Sequence, residues 1–264
     1  NSFGLNAFSG RDYQLLLDAN DYSMEYPYDS WDVSPAHHHF EAVRSFAGRK
    51  VHHPWIGYVF SDEAIHFDPW WSALHGASGL EIYGCMSLFA GKDSWAQVFP
   101  TMQLTRRGRM YAEIVKPLKE GVGKVLMTAA RPRADVAILW SQPSLYVAWG
   151  ICGTQSLGQA LNTQTPYRQY FYSSLHFRRA VEATGRQFDY VSEEQIREGV
   201  LDRYRCLVLP AAFALGPETC VRLEAFVERG GRLIADQGVG LANEAGAFQE
   251  ADGPAFRLFG IRRT

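Results

Sequence analysis

Two kinds of hydrophobic pattern alternate along the first half of the chain. Short apolar runs that predict strands (DYSMEYPYD, HPWIGYVFS, GLEIYG) are separated by segments with helical spacing (HHHFEAVRSFAG, PWWSALHGA). A longer helical segment follows, LTRRGRMYAEIVKPLKEGVGKVLM, in which Pro117 predicts a kink or a break. Strands that alternate with helices are typical of a parallel sheet with crossover helices.

The second half has clearer boundaries between its elements. The runs ADVAILW, FDYV, CLVLP and RLIAD predict four buried strands, the first followed by a long polar loop through Gly150 to Thr165. A helix is predicted from Tyr167 to Thr184. Ser192 and Gln195 have the spacing of a capping box, and Pro217 marks the first turn of a further helix. Four strands with three crossover elements predict a small doubly wound domain of flavodoxin-like type.

Composition narrows the class of protein. The chain has 264 residues, 47% of them hydrophobic, which is enough for one large or two modest domains. We predict two α/β domains, 1–130 and 131–264, joined by the linker ARPRAD. The formal net charge of −2 and the scattered basic residues argue against a nucleic-acid partner. No apolar run is long enough to span a bilayer, so no membrane partner is expected.

The cysteines and the first residue bear on processing and location. The four cysteines form no CxxC pair, and we interpret them as buried free thiols, which favours an intracellular location without assigning one. They are Cys85, Cys152, Cys206 and Cys220. The chain opens at Asn1 rather than Met, which indicates processing or truncation.

Known cofactor and nucleophile motifs are missing from the second half. ADVAILW is followed by SQPSLY rather than G-x-G-x-x-G, and CLVLP by AAFALGP rather than a glycine-flanked Ser or Cys. This domain is therefore interpreted as structural or as an interface. The histidine runs at 37–39 and 52–53 lack the i, i+4 spacing of a zinc helix, so we expect surface or capping histidines, and neither a metal nor a cofactor.

The order of these segments resembles family 42 of the glycoside hydrolases, the β-galactosidases. NDYSMEYPYD, VRSFAG, PWIGYVFSDE and WWSALHGASGLEIYG look like the last three strand and helix units of that family's barrel, and LTRRGRMYAEI its final helix. ADVAILWS, CLVLPAAFALGPETCVRLEAFVERGGRLIAD, GLANEAG and FRLFGI are similar to its flavodoxin-like trimerisation domain. The resemblance implies the C-terminal portion of a (β/α)8 TIM barrel, about strands five to eight, followed by a doubly wound domain. It also implies a homo-oligomer, a trimer being the family's state.

The resemblance places a retaining glycosidase site at the carboxyl ends of the strands. It implies a nucleophilic Glu at the end of strand seven, for which Glu63 is the nearest match. Ser61 and Asp62 intervene, however, so Glu63 could instead be a first-turn helix residue favoured by the helix dipole. Asp62 is a competing candidate for the catalytic role, or the cap of the same helix. Glu25, at the end of strand six, is predicted either to bind a sugar hydroxyl or to be a solvated loop carboxylate. Glu81, within strand eight, is not expected to be catalytic.

Aromatic side chains flank the expected mouth of the barrel. Tyr26, Trp31, Tyr58 and Trp70 are predicted to bind the carbohydrate substrate, since flat rings stack on the face of a pyranose, and Trp31 is the better platform. Trp70 and Trp71 diverge by about 100° on a helix, so one of them must face the core.

The resemblance also implies an acid/base Glu at the end of strand four, which we expect upstream of this chain. The chain would then be an inactive fragment of a cofactor-free, β-galactosidase-like hydrolase acting on terminal sugars. The alternative is a non-catalytic carbohydrate-binding or assembly protein that uses the flavodoxin-like domain as an oligomer interface.

Overall fold

The computed structural model describes residues 12–25, 33–48, 50–56, 61–82, 88–91, 100–152, 165–250 and 252–261. The chain forms two compact units, the first built mainly from Tyr13–Arg131 and the second from Pro132–Thr264. Both contain parallel sheets with connecting helices, as predicted for an α/β chain. In the described part, no helix has the length and apolarity that crossing a bilayer requires.

The first unit contains a three-stranded parallel sheet in the order β1-β2-β3. Its strands are β1 (Tyr22–Glu25), β2 (Val51–Ile56) and β3 (Glu81–Ile82). Its first three helices are α1 (Tyr13–Asp18), α2 (Val33–Ala47) and α3 (Asp62–Leu74). Strands that follow one another in the chain are also neighbours in the sheet, and a helix connects each pair. This is the arrangement that right-handed β-α-β units produce.

Two more strands and two more helices complete the first unit. An antiparallel pair, β4 (Phe89–Gly91) and β5 (Pro100–Leu104), lies between β3 and the next helix and was not predicted. Helix α4 (Arg106–Pro117) then passes into a π-helical turn (Leu118–Val122) and α5 (Gly123–Thr128). A kink or a break was predicted at Pro117, and α4 ends at that residue. The backbone nevertheless stays helical through Leu118 and departs from helical angles at Gly121 (φ 163°, ψ −47°).

Helix α3 begins earlier than predicted. It starts at Asp62 rather than at Pro69, and Pro69 lies buried inside it. The cap is Ser61, whose Oγ accepts a hydrogen bond from the amide of Ala64 at 3.2 Å. The prediction of Asp62 as the cap is therefore wrong, since Asp62 is the first residue within the helix.

A buried ion cluster holds the helices of the first unit together. Glu41 of α2 is fully buried and accepts hydrogen bonds from Arg44 Nε (2.7 Å) and from His75, the residue that ends α3. Arg131 lies 4.0 Å from the same carboxylate. Burial opposes ionisation of Glu41, but these three partners lower its pKa to about 2.

The second unit contains a four-stranded parallel sheet in the order β7-β6-β8-β9. Its strands are β6 (Val136–Leu139), β7 (Phe188–Val191), β8 (Cys206–Leu209) and β9 (Arg232–Ala235). Its helices are α6 (Gln142–Ile151), α7 (Pro166–Ala183), α8 (Glu193–Arg197), α9 (Pro217–Glu228) and α10 (Pro254–Phe259), with a 3-10 turn at Val200–Arg203. The strand order confirms the predicted flavodoxin-like fold.

The local signals of the second half are confirmed with one exception. Ser192 and Gln195 form a reciprocal capping box, and Pro217 opens α9. The loop predicted after the first strand is wrong over its first part, where α6 is found. Ser141 caps this helix by accepting a hydrogen bond from Ser144 N at 3.1 Å. Leu145, Val147 and Ala148 of this helix pack into the core, whereas Tyr146 and Ile151 are exposed.

One hydrophobic core of the second unit lies between one face of the sheet and α9, and a second is formed around α6 and α7. Ala137, Leu207 and Leu209 point to this face and pack with Leu223 and Phe226 of α9. Strand β9 is an edge strand, and its outward residues are largely exposed. Of the cysteines that the structure describes, Cys220 is buried, Cys152 and Cys206 are half-buried, and all three are free thiols.

Candidate functional site

The first turns of α3 and α4 meet at the carboxyl edge of the first unit's sheet. Arg106 begins α4, and its guanidinium forms a two-pronged hydrogen bond with the carboxylate of Asp62, one prong at 3.1 Å. Thr105 caps α4 by accepting a hydrogen bond from Gly108 N at 3.2 Å. A Cβ at Gly108 would lie 2.2 Å from the carbonyl oxygen of Leu88, so only glycine allows this close approach.

Glu63 lies beside this ion pair as the second residue of α3, and its side chain is exposed. Strand β2 ends at Ile56, so Glu63 belongs to the helix rather than to the strand end. A carboxylate there is stabilised by the positive end of the helix dipole. The hydrogen bond from Arg106 lowers the pKa of the neighbouring Asp62. The Asp62 carboxylate is thus bound by Arg106, whereas the adjacent Glu63 carboxylate is exposed.

Of the other predicted site residues, the structure describes Glu25 and Trp70. Glu25 is the last residue of β1 and is paired in the ladder with Pro54. Tyr26, Trp31 and Tyr58 lie outside the described residues. Trp70 is half-buried in α3, about 10 Å from Glu63 along the helix axis at 1.5 Å per residue. The structure therefore does not bring Trp70 and Glu63 together.

Trp71 and Glu81, which were also considered in the sequence analysis, contact other side chains of the first unit. Trp71 stacks on the His75 ring, with centroids 4.0 Å apart, and contacts Phe40 edge-on at 4.9 Å. Trp71 is therefore the tryptophan of the adjacent pair that packs against α2. Glu81 accepts a hydrogen bond from the hydroxyl of Tyr22, which raises the pKa of Tyr22 to about 12.

Sequence reasoning missed three polar side chains of this unit, of which His52 and Tyr111 are buried and Asp68 is half-buried. His52 is 2% exposed and packs on Phe40 with ring centroids 4.5 Å apart. Since it lies within β2, the prediction of a surface or capping histidine is wrong at this position. Burial raises the pKa of Asp68 to about 6, and the pKa of Tyr111 to about 12. In the described part of the chain, no three His, Cys, Asp or Glu side chains are grouped to hold a metal ion.

The carboxyl edge of the second sheet is where a doubly wound domain would bind a ligand, between β6 and β8. Here side chains of the chain itself fill that position. Ser144 Oγ accepts a hydrogen bond from Ala214 N (3.0 Å) and lies 3.3 Å from Ala214 O, so it joins α6 to the segment after β8. Ser141 donates a hydrogen bond to the buried carboxyl of Glu193, and Tyr170 donates to the carbonyl of Ser141 at 2.9 Å.

The two units together define a class of protein, in which parallel strand and helix units precede a flavodoxin-like domain whose ligand position is filled. Residues 134–263 match the family described as the β-galactosidase trimerisation domain. The predicted resemblance to family 42 glycoside hydrolases is therefore confirmed.

Individual relatives agree with this assignment. The β-galactosidase BglY of Alicyclobacillus acidocaldarius is 26% identical over 130 residues, which are 47% of this chain and 17% of that protein. A β-galactosidase structure from Bacillus circulans sp. alkalophilus has a TM-score of 0.71 at 19% identity and covers 93% of this chain. A cold-adapted β-galactosidase from Rahnella sp. R3 gives a TM-score of 0.66 at 18% identity, again over 93% of this chain. The predicted fold, the last part of a TIM barrel and a flavodoxin-like domain, is confirmed.

The chain is much shorter than these relatives. It covers 37% of each of the two β-galactosidase structures. At these identities, the structural likeness establishes the fold alone.

Proposed function

We propose that this chain is part of a retaining glycoside hydrolase that releases terminal β-galactosyl groups. The observation that carries the proposal is the match of residues 134–263 to the β-galactosidase trimerisation domain. The fold likeness to β-galactosidases over 93% of the chain supports it. The first domain, 1–130, would supply the last strands of a catalytic barrel, and 131–264 would assemble the oligomer. No cofactor is required by this chemistry.

In this proposal Glu63 is the nucleophile. A retaining glycosidase needs a carboxylate to attack the anomeric carbon and a second carboxyl group about 5 Å away to protonate the departing oxygen. Glu63 lies at the carboxyl edge of the sheet, where barrel enzymes place their catalytic groups. Among the described residues it has no hydrogen-bond or ion-pair partner, whereas Asp62 is bound by Arg106. The acid/base carboxyl would come from another strand of the same barrel in the full-length gene product.

The sugar would bind around this carboxylate. Glu25 is proposed to hydrogen-bond a sugar hydroxyl, since it ends the neighbouring strand β1. Tyr26, Trp31 and Tyr58 are proposed to supply aromatic faces near the same edge. Among the proposed sugar-binding residues Trp70 has the weakest support, because it lies about 10 Å from Glu63 along the helix axis.

The experiment is a comparison of Glu63→Gln with Asp62→Asn in the full-length gene product. Glutamine keeps the shape of the side chain but cannot attack the sugar, so kcat/KM for an aryl β-galactoside should fall by at least about 10³-fold. Asp62→Asn is the matched control because it removes the adjacent charge and only loosens an exposed ion pair. Equal rates for Glu63→Gln and the unmodified protein would exclude the nucleophile role.

A second candidate function is non-catalytic assembly or carbohydrate binding. The observation that favours it is the position of Glu63 in the first turn of a helix, where a carboxylate has a purely structural use. This candidate predicts an oligomeric protein without turnover of any aryl glycoside. Turnover that depends on Glu63 would exclude it.

A further inference from the structure

The amino ends of β6, β8 and β9 border an open cavity of about 670 Å³ on the second unit. Its charged lining consists of four arginines and two aspartates, Arg186, Arg205, Arg229, Arg232, Asp135 and Asp202. Arg186 pairs with Asp135 at 3.5 Å, and Arg229 pairs with Asp202 at 2.8 Å. Within the described ranges, no carboxylate lies at ion-pair distance from the remaining two arginines. The lining therefore has a net positive charge.

An exposed apolar side chain lies beside these arginines. Ile234 of β9 also lines the cavity and is 47% exposed. Its neighbour Leu233 packs toward α9, and successive side chains of a strand point to opposite faces of the sheet. Ile234 therefore points to the face of the sheet that is turned away from α9. Strand β9 is paired only with β8 among the described strands, so its outer edge is open. We call Arg205, Arg232 and Ile234 the basic surface.

A surface of opposite charge lies on the outer side of α9. Leu223 and Phe226 bury the inner side of this helix. The outer side exposes Glu218, Val221, Glu224 and Glu228 with a single arginine, Arg222. Val221 is 61% exposed, and in the described part of the chain none of the three glutamates forms an ion pair. We call Glu218, Val221 and Glu224 the acidic surface.

We propose that the basic surface of one copy of the chain binds the acidic surface of a second copy. The proposal rests on the assembly role proposed for 131–264 and names the contact that performs it. Each surface has an apolar centre with charges around it, as protein interfaces do, and the two charges are complementary. Because the surfaces are different parts of the domain, the contact is heterologous. Heterologous contacts close into rings such as trimers.

A charge exchange in the full-length gene product tests this contact. One variant reverses the basic surface (Arg205→Glu/Arg232→Glu), and another reverses the acidic surface (Glu218→Arg/Glu224→Arg). A third combines all four changes and restores complementarity. Lys119→Glu/Lys124→Glu is the control, since both lysines are exposed in the first unit and the charge change equals that of the first variant. Oligomer mass is measured by sedimentation over a range of concentrations and salt.

Each reversal alone should raise the dissociation constant of the oligomer by at least about tenfold, and the combined variant should recover most of that loss. The loss of association in the reversal variants should be greatest at low salt, where like charges repel most strongly. Unchanged association in both reversal variants would overturn the contact while leaving the assembly role intact. A monomeric unmodified protein would overturn the assembly role itself. Arginine-dependent binding of inorganic phosphate to such a monomer would identify a small anion as the occupant instead.

Discussion

The buried carboxyl of Glu193 should make the stability of the second unit depend on pH in an unusual direction. Glu193 opens α8 and is 4% exposed. Burial raises its pKa from 4.5 to about 7, although the hydrogen bond from Ser141 and the charge of Arg197 act in the opposite direction. In the unfolded chain the same carboxyl returns to about 4.5. Between these values the folded state binds the proton that the unfolded state releases.

The sign and size of the effect follow from this difference. The raised pKa contributes stability that is complete below about pH 4.5 and is lost as the pH rises through about 7. The difference between a pKa of 4.5 and one of about 7 corresponds to about 3–4 kcal/mol over the whole titration. Replacement of Glu193 by Gln removes the titrating group. Relative to the unmodified protein, the variant should therefore gain about 3 kcal/mol of unfolding free energy between pH 4.5 and pH 8.

Urea denaturation across this pH range measures the effect. Trp140 reports on the second unit because it is buried and contacts Tyr190 edge-on at 5.5 Å. Glu194→Gln is the matched control, since Glu194 is the next residue in the same helix turn but its side chain is 56% exposed. Parallel pH dependence in the Glu193→Gln variant and the unmodified protein would refute the reasoning. It would show that Glu193 titrates near its ordinary pKa in the folded state.

Two further variants test the buried contacts that organise each unit. Glu41→Gln leaves Arg44 and His75 without their buried anion, so it should lower the unfolding free energy of the first unit by about 3–5 kcal/mol, measured by chemical denaturation. Ser144→Ala removes the acceptor of the Ala214 amide at the filled ligand position, and should cost about 1–3 kcal/mol. Hydrogen exchange at Ala214 checks the second prediction, because exchange should accelerate there and not at β7.

Local chemistry made much of the second unit predictable. Pro217, the capping box of Ser192 and Gln195, and the short apolar strands each specify an element within a few residues, and the structure has all of them. Helix α6 was missed although Ser141 and Pro143 mark its start, because its sequence is apolar nearly all round. A helix buried on most sides lacks the periodic pattern that reveals an amphipathic one.

The first unit was harder to predict because its contacts are between distant segments. The acidic first turn of α3 is a local signal that indicated a helix start near Asp62, but Pro69 favoured a start seven residues later. Nothing near His52 in the sequence indicates burial, which arises from its packing on Phe40 of α2. The Asp62–Arg106 pair likewise joins residues that are far apart in the chain and meet only when α3 and α4 pack.

The most direct test of the central claim is the stereochemistry of hydrolysis by the full-length gene product. Proton NMR can follow the first sugar released from an aryl β-galactoside, before the anomers equilibrate. A retaining mechanism with a carboxylate nucleophile predicts that β-galactose appears first. Initial release of α-galactose, or no turnover of the substrate, would contradict the account.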